Sequence, residues 1–79
     1  MIYEDYQTET ERQLIKFRET QSKVVGISTD KARAIIARAE LPSRIVSMDG
    51  INYIVTRDFI PWRVNLTVVK NIVTKVTGG

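Results

Sequence analysis

Three textures succeed one another along the chain. Residues 4–23 contain no Gly or Pro, are rich in Glu, Gln, Arg and Lys, and set Tyr6, Thr10, Leu14, Phe17 and Gln21 on one stripe, a pattern that predicts a helix. Only Leu14, Phe17 and Tyr6, with Ile15 alongside, are strongly apolar. Such a helix either packs lightly on the rest of the protein or pairs with a second chain. Glu9 and Arg12, like Lys16 and Glu19, stand one turn apart, the spacing of ordinary charge pairing on a helix surface.

A second helix is signalled at Ser28-Thr29-Asp30, where Ser28 suits an N-cap and Asp30 the positive end of the helix dipole. Ala32, Ile35, Ile36 and Ala39 follow at i, i+3, i+4 and i+7, a small-residue stripe fitted to close packing on a sheet, and Leu41-Pro42 ends the helix. The remainder is β in character. Residues 44–48, 64–69 and 72–76 are rich in Val, Ile and Thr, with breaks at Asp49-Gly50 and Lys70-Asn71. The last two runs are close enough to form a hairpin.

Between the first and second β runs, residues 50–62 carry Ile51, Tyr53, Ile54, Val55, Phe59, Ile60, Pro61 and Trp62. Pro61 lacks an amide donor, so the stretch should be extended without being fully laddered. An apolar extended loop has two explanations. Either Tyr53, Phe59 and Trp62 fold back as a lid on the core, or part of the stretch is offered to a partner in β conformation, as peptides enter protease clefts.

Composition narrows the chemistry. The 79 residues include no Cys and no His, which excludes a Ser-His-Asp triad, a Cys-His dyad, a thiolate or imidazole metal site and any disulfide. Binding is therefore favoured over catalysis, with no cofactor and no metal expected. At 43% hydrophobic and 27% charged residues, the chain belongs with folded soluble domains rather than disordered ones. No apolar run reaches the length of a membrane span and the acidic first residues do not suit a secretory signal, so no membrane association is expected and the cytoplasm is the favoured compartment. The net charge of +3 is uneven. Lys31, Arg33, Arg38 and Arg44 could offer a basic face to phosphates, but without a nucleic-acid motif or an aromatic stacking platform a solvated helix face is the better reading.

Taken in order, Val24-Val25-Gly26-Ile27-Ser28, the helix from Ala32-Arg33 to Ile36, Pro42 and the run from Ile54-Val55-Thr56-Arg57-Asp58-Phe59 through Ile60-Pro61-Trp62-Arg63-Val64-Asn65-Leu66 resemble the potato type I inhibitors of serine proteases. The likeness covers residues 24–79 and is nearer to the short bacterial members. It implies an α+β fold in which one helix packs on a small mixed β-sheet with an extended reactive loop. Residues 1–23 would form an extra N-terminal helical extension. By the same resemblance Val55 and Thr56 precede the P1 residue Arg57, Asp58 and Phe59 follow it, and Arg57-Asp58 is the scissile-like bond. Arg63 matches a supporting arginine that reaches towards Thr56 and Asp58, while Asn65 stands where plant members place a second one. The implied partner is a trypsin-like or subtilisin-like serine protease.

Several features depart from that pattern. Trp62 is unusual just before Arg63, residues 49–53 fit poorly, and the turn at Lys70-Asn71 is shorter than in plant members. Residues 4–23 have no counterpart, which leaves open a homodimer through the N-terminal helix. Two other functions stay in view: an interaction or assembly module on the same fold that works through that helix and does not inhibit, and a small nucleic-acid-binding regulator using the basic residues between Asp30 and Arg44.

Overall fold

Ser28 starts the second helix as its type suggests: its backbone is extended and its hydroxyl accepts from the Lys31 amide at 3.4 Å. In the computed structural model that helix, α2 (Thr29–Arg38), follows α1 (Ile2–Val24) and precedes four strands: β1 (Ser43–Met48), β2 (Ile51–Asn52), β3 (Val64–Val69) and β4 (Ile72–Thr77). The structure describes residues 2–79, with side chains from Glu9 onward. The fold is α+β, with two helices packed on a mixed sheet of order β2-β1-β3-β4. Among the described residues no helix is long and apolar enough to cross a membrane.

Alternation along β3 separates the two faces of the sheet. Val64, Leu66 and Val68 are wholly buried and meet Ala32 and Ile36 of α2, Val73 and Val76 of β4, and Phe17 and Val24 of α1 in one core. The expected α2 stripe is therefore the packing face, with Ile35 and Ala39 at its margin. Both helices share this core. In α1, Phe17, Thr20 and Val24 are buried at helical spacing, and the Gln21 side-chain amide donates to the Val76 carbonyl at 3.0 Å. Leu14 and Thr10 are half-buried and Ile15 is exposed; the Tyr6 side chain lies outside the described residues.

Two tight turns set the strand registers. Lys70 and Asn71 have φ of 50° and 64°, and Asp49 and Gly50 have φ of 51° and 84°, the left-handed pair that a two-residue hairpin demands. The turns interlock, because the Asp49 carboxylate accepts from the Lys70 amide at 2.7 Å. The turn at Asp49-Gly50 creates β2, a two-residue strand antiparallel to β1, where the sequence suggested only a break. The linker after α1 covers the edge of β4: Gly26 N–H donates to the Val73 carbonyl at 2.7 Å and Val73 N–H to that of Ile27 at 2.9 Å.

β1 and β3 run parallel, with Arg44 opposite Asn65. Parallel neighbours oblige the chain to travel back along the whole strand before it can pair, which is usually done by a helix. Here residues 49–63 make the return without one, so the topology itself produces a long exposed loop.

Helix α2 ends in an unusual way. Glu40 has φ of 58°, and the amides of Glu40 and Leu41 donate to the carbonyls of Ala37 and Ile36, the double closure in which glycine is the common occupant. Since Glu40 is exposed, Glu40→Gly should raise the unfolding free energy by about 0.5–1 kcal/mol in urea titration, the left-handed penalty exceeding the entropy that glycine adds to the unfolded chain.

Candidate functional site

Residues 54–59 are all exposed, with Ile54 and Phe59 the most exposed large apolar side chains of the loop. The lid explanation thus fails for Tyr53 and Phe59, which stand out from the core, and holds for Trp62, which packs against it. At one end the Tyr53 amide donates to the Val46 carbonyl at 2.9 Å. At the other, Pro61 and Trp62 form a turn closed by Arg63 N–H to the Ile60 carbonyl at 2.9 Å, with proline at the position its fixed φ suits. Between these pins no strand pairing holds residues 54–60. A depression of about 460 Å³ separates the first limb from β1, with Arg44 and Arg63 on its walls.

Side chains from the sheet face opposite the helices span that gap. Arg63, immediately before β3, and Asn65, within it, are two residues apart and point the same way, and both are buried. The Arg63 guanidinium forms an ion pair and hydrogen bond with one Asp58 carboxylate oxygen, and the Thr56 hydroxyl donates to the other. Thr56 and Asp58 are thereby joined across Arg57, whose own side chain is exposed.

The expectation that Arg63 serves both Thr56 and Asp58 needs correction. Its bond goes to Asp58, and the guanidinium that reaches Thr56 belongs to Arg44, through Nη1 at 3.1 Å. Arg44, grouped by charge with Lys31, Arg33 and Arg38, lies in the first β run as the pattern predicts, and on β1 it sits under the loop and not beside those helix residues. Its Nε donates to Asn65 Oδ1 at 2.9 Å and its Nη2 to the Gly79 carbonyl at 3.1 Å, while Asn65 Nδ2 donates to the same carbonyl at 3.2 Å. The physical reason is register: Arg44 and Asn65 are direct partners across the parallel pair. The signal available in the sequence was alternation in β1, where Arg44 must point away from the core if Ile45 points into it.

Glycine is required where residues 78 and 79 pass beneath the loop's exit. A Cβ on Gly78 would stand 2.6 Å from the Pro61 carbonyl oxygen, so only a residue without one allows the approach. This brings the Gly79 carbonyl to Arg44 and Asn65.

Electrostatics follow the geometry. The hydrogen bond from Arg63, then that from Thr56, holds the Asp58 carboxyl below its ordinary 3.8, at about 2, against the smaller opposing effect of desolvation. The Arg63 side chain is 8% exposed and that of Asp58 56%, so the cation is fixed in the body and the anion is the movable partner. No protein-family model and no curated protein matches the chain.

A carboxyl whose folded value lies below the ordinary one favours the tied loop when ionised. The tie is therefore complete above about pH 4 and is lost as the pH falls through about 2. An NMR titration of the Asp58 carboxyl carbon should show a midpoint near 2, moving towards 3.8 in Arg63→Ala. A midpoint near 3.8 in the unaltered protein would mean the tie does not form.

Proposed function

We propose that the protein is a serine protease inhibitor whose loop binds as a substrate does, with Arg57-Asp58 as the bond presented to the enzyme. One observation carries this reading: the residues on either side of Arg57 are joined to each other and separately anchored, Thr56 to Arg44 and Asp58 to Arg63. A loop held this way enters a cleft already extended, so little conformational entropy is lost on binding. Arg57 suits a pocket with a buried carboxylate, as in trypsin-like enzymes. The exposed Val55 and Phe59 supply apolar contacts to either side, which also fits the extended cleft of a subtilisin-like enzyme.

The anchors explain how such a loop would outlast attack. The enzyme's serine oxygen adds to the Arg57 carbonyl carbon, the bond to the Asp58 nitrogen breaks, and that nitrogen takes a proton to leave as an amine. Asp58 remains tied to Arg63, at the entry to β3, and Thr56 to Arg44 on the neighbouring β1. The amine stays beside the acyl group at high effective concentration and attacks it, expelling the serine and restoring the peptide bond. A free peptide would lose the amine to solvent and be hydrolysed.

Steady-state assays against trypsin and subtilisin test the reading. Arg57→Ala should weaken inhibition of trypsin by about 100-fold or more. Arg44→Ala and Arg63→Ala should each keep initial binding but raise the rate of cleavage after Arg57 by roughly ten-fold or more, turning the inhibitor into a substrate. If the unaltered protein inhibits neither enzyme and is simply cut after Arg57, the proposal is wrong.

A further inference from the structure

Away from the loop, α1 and α2 enclose a groove of different character. Two depressions of about 430 and 370 Å³ share Lys23, Ile35 and Arg38 and so run into one another. Half-buried Ile27 and Ile35 form the floor, and exposed Lys16, Lys23, Lys31 and Arg38 the rim, against a single carboxylate at Glu19. An apolar floor under a cationic rim fits an amphipathic segment with apolar and acidic residues better than a nucleic-acid backbone, which would leave the isoleucines uncovered.

The chain carries such a segment. Residues 2–11 hold Glu4, Asp5, Glu9 and Glu11 with no Lys or Arg, together with Ile2, Tyr3 and Tyr6. It cannot fill its own groove. Residues 2–24 are one continuous helix, and Lys16 and Lys23 of that helix form part of the groove's wall. At a rise of about 1.5 Å per residue, Asp5 lies roughly 16 Å along the axis from Lys16, and a straight helix cannot turn back on itself. A second copy meets no such obstacle, and a two-fold arrangement would satisfy both grooves with both acidic segments at once.

We infer that the protein forms a symmetric homodimer in which the acidic N-terminal segment of each copy lies in the basic groove between α1 and α2 of the other. The inference is independent of protease inhibition, because it uses none of the loop residues. It assigns a role to the helix that the inhibitor resemblance left without one.

Sedimentation equilibrium of the full chain tests it. The unaltered protein should be dimeric at low salt, with the dissociation constant rising at least about ten-fold between roughly 50 and roughly 500 mM sodium chloride. A groove variant, Lys23→Glu with Lys31→Glu, and a segment variant, Glu4→Lys with Asp5→Lys, should each be monomeric alone. Mixed in equal amounts they should form a heterodimer, since each groove then faces a segment of opposite charge, and this recovery shows that neither variant merely fails to fold. A monomeric unaltered protein at low salt, which would leave the groove to an acidic segment of some other protein, overturns the inference. So does a dimer indifferent to the reversals, or a mixture that stays monomeric.

Discussion

Parallel pairing of β1 with β3 is the constraint from which the rest of this structure follows. A parallel neighbour can be reached only after the chain has returned along the strand, and the protein spends residues 49–63 on that return. A helix would have satisfied its own backbone and buried an apolar face on the sheet. An extended crossover does neither, so its conformation must be imposed from outside. The unused face of the sheet supplies the means, because β3 turns valine and leucine to the helices and directs Asn65 to the other side, where Arg63, just before the strand, also reaches. The loop and its supports are two consequences of one topological choice.

The supports divide unequally in character. Arg63 gives a charged pair at the loop's second limb, sensitive to the ionisation of Asp58. Arg44 gives a hydrogen-bonded network, in which a hydroxyl, a side-chain amide and the backbone oxygen of Gly79 share one guanidinium. The planar fork of arginine suits this because its donors leave in fixed directions, which a lysine ammonium could not reproduce. Asn65 acts as the adapter, accepting from Arg44 while donating to the carbonyl that Arg44 also reaches. The second support is thus carried by the neighbouring strand, with the shorter side chain beside it.

Much of the scaffold was legible because it is encoded locally. Ser28, the Ala32 and Ile36 stripe and the Val-rich runs each declare their element within a few residues, and the turn at Lys70-Asn71 lies where two β runs nearly touch. What escaped notice is non-local or atypical. β2 is two residues long, too short to show a period. The helix end at Glu40 uses a glutamate where glycine is customary. The strand position of Arg44 is legible but its supporting role is not, because nothing near it names its partners: Asn65, Thr56 and Gly79 are 21, 12 and 35 residues away. Periodicity revealed the elements, whereas the site depends on which strands become neighbours.

That distance in sequence has a temporal meaning during synthesis. The Arg44 network closes on the carbonyl of Gly79, and Gly78 must slide under Pro61 to bring it there. A ribosome that has released residues 44–66 has therefore made every side chain of the loop and its supports, yet the network still lacks an acceptor that only residue 79 provides. The nascent chain would carry Arg57 on an incompletely braced strand until β4 docks. Bracing of residues 54–60 is therefore complete only once residues 78 and 79, well beyond the loop in sequence, are in place beneath it.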